Sequence, residues 1–212
     1  MANLIWKRYT EKARQSQFAL SILRLHFRKV IPLKRISKPL AGEYAPYAIM
    51  YIELVPDDGL VLQHLHDNLQ MLKELIGALP EEKLSIPCAQ GEWTIKEILV
   101  HVIDTERIFA YRALRFARND TTALAGFEQD EYVACAGANE RNREDILAEL
   151  TAVRTATLVL ANSFTEEALT RSGLASGHTL SVRSALYQIA GHELHHLKSI
   201  QENYVSAEQH VR

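Results

Sequence analysis

Cysteine is scarce in this chain. Cys88 and Cys135 are the only two, far apart and without the short spacing of a thiolate zinc site or a redox pair. That excludes a disulfide-stapled scaffold and fits a reducing, cytoplasmic compartment. Long apolar runs are also lacking, and none reaches the ~18 uncharged residues of a membrane-spanning helix. Alternating apolar and polar residues are so rare that no strand or hairpin is predicted. Low-complexity tracts and internal repeats do not occur either. What remains is a 212-residue chain, 47% hydrophobic and 24% charged, long enough to bury a real core.

The net charge of -2 hides a division. Met1 to Lys38 carries ten basic residues against Glu11, a charge of +9, and the remainder carries -11. The shift puts a boundary near Pro39, with residues 1–38 a basic N-terminal extension and residues 39–212 the domain. Leu4, Ile5 and Tyr9, then Ile22, Leu23, Phe27, Val30 and Ile31, have helical spacing, so the extension reads as a basic amphipathic helix or as a segment dispensable to the domain. Nucleic-acid binding is an option for that segment only, because the acidic remainder gives it no help.

Beyond Lys38 the pattern is helical. Asp57 or Asp58 caps a helix carrying Leu62, Leu65, Leu69, Leu72 and Leu79 and ended by Pro80. Thr94 and Glu97 form a capping box opening a second helix through Ile98, His101, Val102, Phe109 and Leu114 to about Arg118. A polar loop is expected from Asn119 to Asn139. A third helix runs from about Asn142 to Asn162 with Ile146, Leu150, Val153 and Leu160 inward. A fourth starts near Ser181 and carries Val182, Leu186, Ile189, His192 and His196 towards Tyr204. The fold class is all-α, a four-helix bundle, an architecture whose core commonly holds metals.

Four of the nine histidines cluster on two of these helices. His192 and His196 are one turn apart on one helical face and can share a metal ion, although packing alone also produces such pairs. Gln188, one turn earlier, is placed to orient a ring. His101 lies on the apolar face of the second helix beside Glu97, Asp104 and Thr105. Three neutral imidazoles bring no charge to a divalent cation, so water, hydroxide or an anionic ligand completes such a site. His195 points about 100° from His196, and it reads with His64, His66 and His178 as a surface or packing residue. His192-Glu193-Leu194-His195-His196 also satisfies H-E-x-x-H, with Glu193 as a protease's general base. Only Glu202, Glu208 and His210 follow as further ligands, and no strand offers an edge to a peptide, so this reading ranks low.

The stretch from Gly91 through Trp93-Thr94-Ile95-Lys96-Glu97 and His101 to Glu106 resembles the second-helix signature of the DinB/YfiT family, and Gly191 to Ile200 resembles its last-helix signature. The likeness runs from about Pro39 to Tyr204 and includes Glu43-Tyr44-Ala45-Pro46-Tyr47. It implies a four-helix bundle that dimerises and a divalent metal, zinc by default with nickel or another transition metal as alternatives, held by His101, His192 and His196. It also implies a metal-dependent thiol S-transferase using a low-molecular-weight thiol as co-substrate on a small electrophile. A metal-dependent hydrolase and a non-catalytic, stress-associated metal-binding module are the alternatives. Asp104, Glu106 and Arg107 are the candidate catalytic residues, and Arg112 is a candidate for a substrate carboxylate. Gly126-Phe127-Glu128-Gln129-Asp130 reads as a cover over the site or, slightly preferred, as a solvated connection.

Overall fold

The computed structural model describes residues 33–205. Residues 33–205 belong to one compact unit, and the expectations for Met1–Pro32, Glu208 and His210 lie outside the described residues. The helices are α1 (Ile49–Ile52, entered through a 3-10 turn at Pro46–Ala48), α2 (Val61–Gly77), α3 (Ile95–Ala117), α4 (Gln129–Cys135), α5 (Arg143–Ser163), α6 (Glu166–Thr170) and α7 (Val182–Ile200). A two-stranded antiparallel hairpin, β1 (Ser172–Ala175) and β2 (His178–Ser181), precedes α7.

The caps explain where the long helices start. Thr94 accepts from the Glu97 amide while Glu97 accepts from the Thr94 amide, the reciprocal box expected for α3. Asn142 caps α5 and Ser181 caps α7. Before α2, Asp58 accepts from the Leu60 amide at 2.8 Å and pairs with His64 at 3.0 Å, two positions ahead of the cap position that Leu60 takes.

Four long helices form the bundle. α3 packs on α7 and α5, and α2 packs on α5 and α7, so α2 and α3, consecutive in the chain, take diagonal corners. Leu62, Leu65, Phe116, Phe164 and Leu186 fill one end of the core, and Leu72, Ile98, Ile103, Ile146 and Leu197 fill the other. None of the helices among the described residues is long and apolar enough to cross a membrane.

Three departures from the sequence reading bear on function. The hairpin was not expected; it turns on Ser176 and Gly177, both at positive φ, 52° and 78°, the two-residue turn that matches strand twist. Gly173 lets it lie flat on α3, because a Cβ there would come within 2.2 Å of the Phe116 ring. The Asn119–Asn139 loop contains α4 and is tied to the hairpin, Leu124 donating to Leu174 O and accepting from the Ser176 amide. Leu33–Lys38 packs on the bundle, with Ile36 buried and its backbone bonded to Gly59 O and to the Tyr187 hydroxyl. The composition break at Pro39 therefore falls inside packed structure.

Candidate metal centre and its cavity

α3 presents His101, and α7 presents His192 and His196, to one point. His192 Nε2 lies 3.0 Å from His101 Nε2 and 3.1 Å from His196 Nε2. The three ligand atoms fall within 4.8 Å of one another. Around a tetrahedral zinc, nitrogens at ~2.0–2.1 Å from the ion stand ~3.3 Å apart. The donor chemistry fits a cation for a second reason: His192 Nε2 offers one proton or one lone pair, which satisfies one neighbour, whereas a cation satisfies all three. Burial holds the imidazoles in the neutral, ligating form. It lowers His101 to about 4, against a small opposing pull from Asp130, and His196 to about 3. Burial, reinforced by the neighbouring histidines, takes His192 well below its ordinary value.

Aromatic rings fix the imidazoles in place. Trp93 packs against His101 at 4.9 Å between centroids, and Tyr51 meets the rings of His192 and His195 edge-on at 5.3 and 5.6 Å. Tyr51 reaches that position because α1 crosses α7 at Gly191, where a Cβ would stand 2.0 Å from Tyr51 O.

The site opens into a cavity of about 380 Å³, the size of a small-molecule site. His101, Thr105, Phe109 and Arg112 form one stripe of α3 along its wall, Tyr47 and Tyr51 come from α1 and its lead-in, and Ser176 from the hairpin turn. Thr105 Oγ1 is buried without a hydrogen-bond partner among the described residues. The Gly126–Asp130 segment lines the cavity as well; Phe127 is half-buried and the other four residues are exposed, so it is a solvated connection that also borders the site. Gln188 also lines it, but donates to Ser184 Oγ at 3.0 Å instead of orienting a histidine.

The other residues singled out from sequence lie elsewhere. Asp104, Glu106 and Arg107 do not line the cavity. Arg107 pairs with Glu149 at 2.5 Å and with Asp104 at 3.5 Å, facing α5. Glu106 is sealed in the bundle centre, 1% exposed and bonded to Arg154 at 2.9–3.2 Å. Glu193 turns to the same guanidinium, 3.0 Å away. Neighbours on α7 point about 100° apart, so Glu193 faces inward while His192 faces the cavity, and the general base of a H-E-x-x-H protease is absent. His195 stands outside the three-histidine group. Tyr47, Tyr51, Ser176 and Arg154 were not singled out from sequence as site or network residues. Tyr47 was signalled only by its place in the lead-in motif, Ser176 only by its Ser-Gly turn, and Tyr51 by no motif.

Similarity to known proteins agrees with this geometry. A protein of Oceanobacillus iheyensis named as a candidate metal-dependent hydrolase is 26% identical over 141 residues, 66% of this chain and 80% of that one. YfiT from Bacillus subtilis, described as a probable metal-dependent hydrolase with an unusual four-helix bundle topology, superposes with a TM-score of 0.65 at 16% identity, covering 82% of this chain and 94% of its own. A mycothiol-dependent maleylpyruvate isomerase shares the fold over 65% of this chain and 58% of its own, with a TM-score of 0.54 and 12% identity. The DinB superfamily profile matches residues 64–200, from within the first turn of α2 to the end of α7, and takes in all three clustered histidines. Bundle, histidines and profile agree, and the chain belongs to the DinB superfamily.

Proposed function

We propose that the protein is a metal-dependent enzyme in which His101, His192 and His196 hold one divalent ion and a small nucleophile attacks an electrophile bound in the adjoining cavity. The observation that carries this reading is the convergence of three neutral imidazole nitrogens, two of them on rings, His101 and His192, that line an open cavity. When bound, such an ion lowers the pKa of coordinated water or thiol and polarises a substrate oxygen. The chain's own groups supply the rest. Thr105 Oγ1, without a partner among the described residues, is one turn from His101 and offers a hydrogen bond to the nucleophile. The Tyr51 phenol, held protonated by burial, donates into the same space. Asp130, close enough to act electrostatically on His101, accepts a proton at the cavity mouth. Phe109, Phe127 and Tyr47 limit access of bulk water.

Water is the nucleophile supported by the name of the Oceanobacillus relative. A low-molecular-weight thiol is the second reading, supported by the mycothiol dependence of the isomerase that shares the fold. Product analysis separates them: a hydrolysed product against a thiol adduct or a thiol-dependent rearrangement. The test of the whole reading is elemental analysis of the purified chain followed by turnover of an ester, amide and electrophile panel with and without thiols. The wild type is expected to hold about one divalent ion, as a single three-histidine ligand set does, and His192→Ala to lose both ion and activity. Equal turnover by the two proteins ends the proposal.

A further inference from the structure

We infer that the substrate carries a carboxylate, and that Arg112 receives it at the end of the cavity remote from the histidines. Only the position of the reacting end rests on the metal-enzyme reading; the anion site stands on Arg112 itself.

Arg112 is 5% exposed and lines the cavity. A guanidinium stays charged in any protein environment, and burying it without a counter-ion is costly. Here Nη2 donates to Ala125 O at 3.0 Å and to Ser176 Oγ at 2.9 Å. Both acceptors are neutral. Nε and Nη1 have no partner among the described residues, and no carboxylate there pairs with Arg112 although Glu128 and Asp130 line the same cavity. Phe109 supports the group from below, its ring centroid 5.1 Å from Cζ. The one charge this buried cation lacks is therefore left for a ligand to bring.

Geometry sets the ligand's shape. His101, Thr105, Phe109 and Arg112 share a face of α3, and the helix rises about 16 Å between the first and the last. The Arg112 guanidinium lies over the ring of Phe109, three residues back towards His101, which shortens that span. The substrate class is a small elongated monoacid: a carboxylate on Arg112, an apolar chain or ring beside Phe109, Phe127 and Tyr47, and the electrophilic group near the histidines. Asp130 at the histidine end disfavours the reverse orientation. A dianion would add a second charge to a cavity that already holds two carboxylates, which favours a carboxylate over a phosphate.

The test uses the full chain with and without zinc and two matched probes, 6-phenylhexanoate and 6-phenylhexanamide, with binding measured calorimetrically. The acid is expected to bind about tenfold tighter than the amide, the worth of one charge-assisted contact. Arg112→Gln is expected to remove that preference by weakening the acid far more than the amide, and Arg112→Lys to restore part of it. Equal affinities for acid and amide, or no binding of either, overturn the inference. So does an Arg112→Gln protein that weakens both probes alike, because a purely structural arginine would do that. A separate titration with octanohydroxamate reports on the centre: dependence on zinc and His192 supports the metal reading, and its failure counts against that reading while the acid–amide comparison in the zinc-free chain still decides the role of Arg112.

Discussion

Arg154 and Arg112 are both buried in the bundle, yet their surroundings are opposite. Arg154 of α5 bonds Glu106 of α3, contacts Glu193 of α7 and donates through Nη1 to Leu65 O of α2. One guanidinium thereby ties all four long helices. Burial acts to lower its pKa, and the two carboxylates more than offset that. Arg112 has a carbonyl and a hydroxyl for company and a cavity in front of it. The closed network fixes helix positions and leaves no capacity for a ligand, whereas the open one keeps that capacity. Because Glu193 belongs to the closed network and His192 to the open site, the network also sets the rotation of α7 that aims His192 at the cavity.

The most severe test of this contrast removes each cation in turn. Arg154→Met leaves Glu106 and Glu193 buried without a positive partner, and a broken buried pair costs about 3–5 kcal/mol. Replacing all three groups with apolar residues of similar volume is expected to recover most of that, since the intact triad itself offers little net stability. Arg112→Met forfeits two hydrogen bonds to neutral acceptors and costs about 1–2 kcal/mol. Urea denaturation measures all three. Equal losses for Arg154→Met and Arg112→Met would make Arg112 a structural residue and erase the contrast.

A smaller effect sharpens the open side. Gly191→Ala sets a methyl group against the Tyr51 carbonyl, which a Cβ would approach to 2.0 Å. Overpacking of this kind costs about 1–3 kcal/mol. Since α1 is short, it is expected to yield before the bundle does, moving Tyr51 off His192 and weakening zinc affinity together with thermal stability. Gly77→Ala is the control: no atom lies within 4 Å of a Cβ there, so it is expected to be neutral or stabilising. If Gly191→Ala leaves zinc affinity intact, α1 does not position the centre.

The same contrast shows what could be read from the amino-acid order. The capping box at Thr94 and Glu97, the cap at Ser181 and the histidine stripes are local patterns in long helices, and local patterns survive in sequence. α5 was legible only in part. Ile146 and Leu150 are buried as expected, and Val153 and Leu160 are half-buried against the core; the buried stripe also holds Arg154 and Thr157, which hydrophobic periodicity passes over. Glu106 was legible as a carboxylate near His101, but its role depended on a partner 48 positions away. The hairpin strands have four residues each and α1 has four, too short for any period, so the cavity walls they form escaped notice while the centre did not.

The smallest expected effect concerns a third arginine, held in a way intermediate between the other two. Arg183 donates through Nε to Glu43 Oε2 at 2.7 Å, and Ser181 Oγ donates to the same oxygen at 2.7 Å. The Ser181 amide bonds Glu43 O at 2.9 Å, so Glu43 fastens the lead-in to the cap of α7. Burial pushes the Glu43 carboxyl up, but the Arg183 and Ser181 bonds outweigh it and the net shift is downward. A depressed carboxyl contributes stability above its unfolded pKa of ~4.3 and loses it as pH falls through the lower folded value. Glu43→Gln is therefore expected to cost about 1 kcal/mol at pH 7, the worth of a partly exposed charge-assisted bond. The gap between wild type and variant should narrow from roughly pH 4.3 downward, as followed by urea midpoints across the acid range. A gap that stays constant down to pH 3 would mean that the carboxylate holds α7 by shape and hydrogen bonding alone, aligning this clamp with the neutral contacts of Arg112 rather than with the charged network of Arg154.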